Sequence, residues 1–201
     1  MELSHGERQT LLNYLIEHPI IRSKELDALG ISREVLRRLV QEGEVIQLGR
    51  GIYTHSETEL NEHSQLAEIS KRVPHGVICL ISALHFHNLS TQIPFEIWIA
   101  LEKGRGNPQI SYPPLQTVHL SGAGFHQGIV HHTISGVTVP IYNIPKTVID
   151  CFKFRNKIGL DVALESLREA LRHKHTTRDQ LWKMAKACRM SSVIKPYLEI
   201  M

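Results

Sequence analysis

The chain has 201 residues, of which 42% are hydrophobic and 21% are charged, and its mean hydropathy is −0.15. This composition predicts an ordinary globular protein, because a disordered chain would be poorer in apolar residues. Its apolar runs fall far short of the roughly 20 residues that cross a membrane. The opening residues MELSHGERQT lack the basic-then-apolar layout of a secretory signal, which predicts a cytoplasmic location.

The net charge of +3 is unevenly distributed along the chain. Residues 1–56 carry seven Lys/Arg and eight Asp/Glu, whereas residues 146–195 carry twelve Lys/Arg and five Asp/Glu. The second segment therefore either binds a polyanion or consists of ordinary solvated helices. The three cysteines are far apart in the sequence, and this spacing predicts reduced core thiols.

The first 43 residues have the pattern of a helix-turn-helix. An apolar helix carries Leu11, Leu12, Leu15 and Ile16 and ends at His18-Pro19. Ser23 is the expected N-cap of a short second helix, which Gly30 closes. Ser32 is the expected N-cap of a third helix that ends at Gly43, and its apolar stripe is formed by Val35, Leu36, Leu39 and Val40.

A β-hairpin is predicted directly after this third helix. Two apolar strands, Val45–Leu48 and Ile52-Tyr53, flank Gly49-Arg50-Gly51, so Arg50 lies at the tip of a wing. Arginines on the third helix can contact guanine edges, and a wing arginine can reach phosphates or the minor groove. The predicted DNA-binding residues are Ser32, Arg33, Arg37, Arg38, Gln41 and Arg50. The alternative is a solvated arginine face on a winged helix that binds protein.

The rest of the chain alternates strands and helices before it ends in helices. A helix is predicted from Glu59 to Arg72, Val77–Leu80 is a strand or the start of a helix, and Ser82 is the expected cap of the turn that follows. Strands are then predicted over 97–101, 117–120, 128–134 and 136–142, a loop over 107–114, and helices over 147–154, 161–172 and 177–188. The fold class is α+β, with a winged helix-turn-helix domain over 1–56 and a mixed α+β domain over 57–201.

Three segments of the second region resemble a known family. They are the runs ICLISALHFHNL at 78–89, VPIYNIPKTVID at 139–150 and GLDVALESLR at 159–168. With the winged helix before them, they resemble the AbiEi antitoxins of type IV toxin–antitoxin systems, which act in abortive infection against phage. The resemblance implies repression of the protein's own operon at inverted repeats. It also implies antitoxin activity against a nucleotidyltransferase-like toxin, without a stable complex between the two proteins.

The partners expected from this resemblance are double-stranded operator DNA and, functionally, the toxin. The protein is expected to be a monomer or weak homodimer that pairs on DNA, with no membrane partner and no cofactor. A second DNA or partner face is predicted in the basic last third of the chain. Its residues are Lys153, Arg155, Lys157, Arg168, Arg172 and Lys174.

Catalytic and metal motifs are absent from the sequence. The histidine pairs 85/87, 131/132 and 173/175 lack the HExxH spacing, and Gly104–Gly106 and Gly122–Gly124 lack the Gly-Lys-Ser/Thr of a phosphate loop. No Asp/Glu-x-Lys motif of a magnesium nuclease and no Gly-x-Ser-x-Gly elbow occurs. The sequence therefore predicts no enzyme activity and no metal site, and a nuclease with an unrecognised active site is the rival hypothesis.

Overall fold

The computed structural model describes residues 5–59 and 61–200, and of His5 only the backbone. These residues form two compact units. The first runs to Pro74 and includes His132–Val139, and the second consists of His75–His131 and the residues from Pro140 onward. The predicted α+β class is confirmed, with small N-terminal helices and a small sheet followed by strands and then helices.

In the described residues up to Pro74, the first unit has four helices and a three-stranded sheet. In chain order these elements are α1 (His5–Glu17), β1 (Ile21–Arg22), α2 (Glu25–Ala28), α3 (Arg33–Gln41), β2 (Val45–Gly49), β3 (Ile52–His55) and α4 (Ser64–Arg72). The antiparallel sheet has the order β1-β3-β2, and a bulge interrupts the β2–β3 ladder between Gln47 and Gly49. The hairpin of β2 and β3 is the predicted wing.

A hydrophobic core joins α1, α2 and α3 to the sheet of this unit, and the apolar stripes of these helices supply most of it. Its buried members are Leu11, Leu15, Ile21, Leu26, Ile31, Val35, Leu36, Leu39 and Val45. Ile16 was predicted on the apolar stripe of the first helix but is 74% exposed. The stripe follows the four-residue step from Leu11 to Leu15, and the next residue is turned by about 100° away from it.

Two predicted starts of helices in the first unit are wrong. Ser23 does not cap α2, because the helix begins at Glu25 with Lys24 in the N-cap position and no side-chain cap, while the Ser23 backbone N–H donates to the Gly51 carbonyl at 2.9 Å. The helix predicted from Glu59 begins only at Ser64. The Asn61 side chain accepts hydrogen bonds from His63 N and Ser64 Oγ, at 2.9 and 3.2 Å, and so forms a local turn that competes with the helix.

A mixed five-stranded sheet and seven helices follow α4 in the described chain. They are β4 (Val77–Ile78), α5 (Leu80–Phe86), β5 (Ile97–Glu102), β6 (Leu115–Leu120), α6 (Ala123–His126), β7 (Ile129–Ile134), β8 (Val137–Tyr142), α7 (Ile144–Lys153), α8 (Arg155–Ile158), α9 (Leu160–Arg172), α10 (Arg178–Ala187) and α11 (Ser191–Ile200). The sheet order is β6-β5-β4-β8-β7, and β4 pairs antiparallel with β5 but parallel with β8. The β7–β8 turn has positive φ at both Ser135 and Gly136, the geometry of a tight two-residue hairpin.

Helix α7 is the centre of the second unit, where it packs against α5, α9, α10 and α11. Its residues are buried on every side from Lys146 to Phe152, which is the pattern of a core helix rather than a surface helix. Asn143 caps it by accepting a hydrogen bond from Lys146 N at 3.0 Å, so the helix starts three residues before the predicted Thr147.

Other differences from the predicted elements lie around the sheet. Ser82 is not a cap, because it lies inside α5, where its Oγ accepts a hydrogen bond from the buried Trp98 N–H at 2.9 Å. Both alternatives for Val77–Leu80 occur, since β4 ends at Ile78 and α5 starts at Leu80. Residues 123–126 form a helical turn, and neither this turn nor α11 was predicted.

Candidate nucleic-acid interface

Helix α3 turns a buried stripe inward and its predicted DNA-binding residues outward. Val35, Leu36 and Leu39 are buried, because they recur at the three- and four-residue steps of one helix face. All of the predicted DNA-binding residues on this segment are exposed: Ser32, Arg33, Arg37, Arg38 and Gln41. The sixth, Arg50, is exposed at the tip of the hairpin that follows α3.

Successive residues of α1 hold α3 near both of its ends. The Glu7 carboxylate accepts a hydrogen bond from Ser32 N at 3.1 Å, beside the helix N-terminus, where negative charge is favourable. Arg8 forms ion pairs with Glu42 and Glu44 just after the helix ends. The Ser32 Oγ accepts from Val35 N at 3.4 Å, so this predicted N-cap is confirmed. These contacts fix the direction in which α3 presents its arginines.

The wing is anchored at its tip by close backbone contacts. Gly51 has a positive φ of 72°, and a Cβ at this position would lie 3.3 Å from Ser23 Oγ. A Cβ on Gly49 would come within 2.9 Å of the buried ion pair between Glu68 and Arg72. The tip that carries Arg50 is hydrogen-bonded through Gly51 to the residue after β1, and it lies close to side chains of α4.

The arginines of this face differ in their ionic surroundings. Arg37 donates from Nε and Nη2 to the Glu34 carboxylate at 3.0 and 2.6 Å, and these bonds hold the pKa of Glu34 below its usual range. Arg33 lies 3.7 Å from the Asp27 carboxylate. Within residues 5–59 and 61–200, Arg38 and Arg50 form no ion pair. Glu34 and Asp27 were not among the predicted site residues, although the three-residue step from Glu34 to Arg37 is a readable signal.

Two of the basic residues predicted for a second face serve the fold of the second unit. Lys157 Nζ lies 5.1 Å from the centroid of the Trp98 ring and donates to the Thr117 carbonyl at 3.3 Å. Arg155 Nη1 donates to the Phe152 carbonyl at 2.8 Å, near the end of α7. Lys153 is exposed in the last turn of α7, and the exposed Lys174, with a φ of 55°, lies in the α9–α10 connection.

Two other predicted residues, Arg168 and Arg172, meet at an open groove between α9 and α10. Glu169, Leu171 and Arg178 complete the lining of this groove, whose volume is about 640 Å³. Arg178 was not predicted, because it comes from the start of the next helix while the others lie one turn apart on α9. The groove thus combines three guanidinium groups with one carboxylate and one apolar side chain.

The described residues contain no group of three or more His, Cys, Asp or Glu side chains that could hold a metal ion. Two histidines of the predicted pairs contact other groups: His87 Nε2 donates to the Tyr142 carbonyl at 2.7 Å, and His173 Nε2 lies 3.1 Å from the Glu169 carboxylate. Across the same residues, no helix is both long and apolar enough to cross a membrane.

The order of elements from α1 to β3, with an exposed arginine face on α3 and a wing behind it, defines a winged helix-turn-helix. Residues 9–54, which lie inside the first unit, match the model of a protein family described as "Transcriptional regulator, AbiEi antitoxin". The resemblance to this family is thereby confirmed for the N-terminal region. None of the curated proteins compared with the chain matches it.

Proposed function

We propose that this protein is a DNA-binding transcriptional repressor of its own operon and the antitoxin of a type IV toxin–antitoxin system. The observation that carries the proposal is the exposed arginine face of α3 beside the anchored wing arginine, within the segment that matches the regulator family. A helix of this kind enters the major groove with its N-terminal residues toward the base edges.

The arginines divide into two roles in this proposal. Arg38 and Arg50, which have no ion-pair partner in the described chain, bind phosphates, while Arg33 and Arg37 lie nearer the N-terminus of α3 and face base edges. Two copies bind the half-sites of an inverted repeat and block transcription by occupying the promoter. The protein needs no catalytic group or cofactor for this task and acts as a regulator rather than an enzyme.

The antitoxin activity is assigned to the second unit. The groove of Arg168, Arg172 and Arg178 is a cationic surface of this unit that is available for the antitoxin activity. Its target is the activity of a nucleotidyltransferase-like toxin, with which it forms no stable complex. In cells that express such a toxin, removal of residues 1–74 is expected to abolish repression but to leave part of the protection.

The first test is the affinity for DNA upstream of the protein's own gene, titrated against salt. Affinity well above that for a random duplex, with a steep salt dependence, supports the repressor. Arg38→Ala and Arg50→Ala should each lower the slope of log K against log salt by about one. Lys195→Ala on α11 is the control and should leave the slope unchanged. Equal affinity for the operator and a random duplex would refute repression at an operator.

A winged helix that binds protein is the second candidate. The Glu34 and Asp27 carboxylates favour it, because they lie beside Arg37 and Arg33 and reduce the positive potential of α3. The same titration separates the two candidates, since a protein-binding module would not bind DNA selectively. Loss of DNA binding in an Arg37→Ala, Arg50→Ala variant would exclude the protein-binding candidate.

A further inference from the structure

Glu34 and Arg37 form a side-on ion pair in the first half of α3. Arg37 Nε donates to Oε2 at 3.0 Å, and Nη2 donates to Oε1 at 2.6 Å, so both carboxylate oxygens are engaged. Both side chains are open to solvent, 60% for Arg37 and 50% for Glu34. Exposed ion pairs contribute little to stability. The consequence of this pair therefore lies in how it orients the Arg37 guanidinium group, not in the free energy of unfolding.

The pair occupies only one edge of the guanidinium group. A guanidinium has five N–H donors, and the side-on contact uses one on Nε and one on Nη2. The end-on edge, formed by Nη1 and the second N–H of Nη2, donates no hydrogen bond to any described residue. Two parallel N–H groups at this spacing match the O6 and N7 acceptors of guanine in the major groove.

We infer that Glu34 is a positioning residue that orients Arg37 for bidentate recognition of one guanine in each half-site. This inference rests on the proposed function, because it specifies how α3 would distinguish one DNA sequence from another. A free arginine must lose rotamer freedom when it binds a base, whereas Arg37 is already held by two hydrogen bonds from its own helix. Glu34 therefore acts on the base through Arg37.

The other arginines of α3 lack such support. Arg38 has no ion pair in the described chain, and the 3.7 Å separation of Arg33 from Asp27 is too long for a hydrogen bond. These two side chains can adjust to phosphates or to several bases. The side-on pair thus marks Arg37 as the arginine of α3 with a fixed direction.

A simpler role for Glu34 would be to neutralise positive charge on the surface. In that case, removal of the carboxylate would strengthen binding to every DNA sequence and would change no base preference. Both roles allow stronger binding to random DNA, but only a positioning role predicts a weaker preference for guanine at one position.

The experiment compares base preferences by selection from a random duplex library, followed by titration of the selected site and its single-base variants. The proteins are the wild type, Glu34→Gln, Glu34→Ala, Arg37→Ala, Asp27→Asn and the double variant Glu34→Gln, Arg37→Ala. Asp27→Asn is the matched control, because it also removes one carboxylate charge beside an α3 arginine. Circular dichroism and thermal unfolding establish that each variant keeps the fold.

The wild type should require guanine at one position of each half-site. Glu34→Gln and Glu34→Ala should reduce this preference about tenfold, with the other positions unchanged. Asp27→Asn should leave the preference intact. Arg37→Ala should abolish it, and Glu34→Gln should then have no further effect in the Arg37→Ala background.

Two outcomes overturn the inference in distinguishable ways. If the wild type is selective but Glu34→Gln and Asp27→Asn raise affinity equally and retain the guanine preference, Glu34 only neutralises charge and the repressor proposal survives. If the wild type shows no sequence preference at all, the proposed function fails and the inference fails with it.

Discussion

The side chains of Lys146 and Asp150 bring two charged groups into the core of the second unit, where they are 0% and 1% exposed. They form an ion pair one turn apart on α7, and Lys146 Nζ also lies 4.0 Å from the centroid of the Tyr142 ring. Burial raises the pKa of Asp150, although the neighbouring ammonium opposes the shift. Each charge is therefore tolerated only because the other is present.

Replacing only one residue of the Lys146–Asp150 pair should lower the free energy of unfolding more than replacing both. Lys146→Met leaves a buried carboxylate unpaired and should lower the free energy of unfolding near neutral pH by about 3–5 kcal/mol. The double variant Lys146→Met, Asp150→Leu should lower the free energy of unfolding by much less. Urea unfolding of the wild type, both single variants and the double variant measures this. Additive losses would show that the two charges are not coupled.

The pH dependence of Lys146→Met gives an independent check on this pair. Without the ammonium, burial raises the folded-state pKa of Asp150 further above its unfolded value. The stability deficit should therefore be absent below the unfolded pKa, grow as the pH rises from the unfolded through the folded pKa, and stay constant above it. The sequence could not reveal this pair as buried, because charges four residues apart on a helix usually share a solvated face.

At the scale of elements, three serines carry the same local signal for a helix start but serve three different purposes. Ser32 caps α3 as predicted, Ser23 ends β1 and binds the wing through its backbone, and Ser82 supports the neighbouring strand from inside α5. The capping preference is local, whereas Gly51, which binds the Ser23 backbone, and Trp98, which binds the Ser82 side chain, are distant in the sequence. Helices and strands were therefore predictable more often than their first residues.

Alanine at each of these three serines should separate the roles. Ser32→Ala should lower the free energy of unfolding by about 1 kcal/mol, because a cap is lost. Ser82→Ala should lower it by about 1–3 kcal/mol, because the buried Trp98 N–H loses its acceptor. Ser23→Ala should be nearly neutral, because its backbone hydrogen bond remains. Thermal and urea unfolding measure the three losses of the free energy of unfolding. A large loss for Ser23→Ala would contradict these roles.

Helix α11 shows why one whole element escaped prediction. Pro196 lies inside it, and proline ordinarily ends a helical pattern because it lacks an N–H donor and crowds the preceding turn. In the structure, Ile194 and Leu198 are buried on either side of Pro196 and belong to the core of the second unit. Burial of these side chains offsets the local cost, and such a tertiary contribution is not visible in the sequence.

At the scale of the whole molecule, positive charge is concentrated in the second unit while the predicted DNA-reading face lies in the first. The groove of Arg168, Arg172 and Arg178 joins two residues predicted from the sequence to one that only the fold brings near. The first unit likewise includes residues 132–139, which are distant in the sequence from its main segment. The domain limit at residue 56 stays a prediction.

If the arginine groove contacts DNA phosphates, its removal should weaken the salt dependence of binding. The triple variant Arg168→Ala, Arg172→Ala, Arg178→Ala should lower the slope of log K against log salt by about three on operator and random DNA alike. Lys183→Ala, Lys186→Ala, Lys195→Ala is the control of equal charge change. Equal slopes for both triple variants would mean that the groove makes no special contact with DNA.

Cys79, Cys151 and Cys188 are all free and buried, and all three belong to the second unit. Burial raises the pKa of each thiol, so little reactive thiolate forms near neutral pH while this unit stays folded. The rate at which a thiol reagent labels the native protein therefore reports how often the second unit opens, and it does not report on the first unit. We expect slow labelling at all three positions, and rapid labelling of any one would reveal a local opening around it. The same timing, repeated with bound DNA, would measure whether operator binding stabilises the unit that carries no predicted recognition helix.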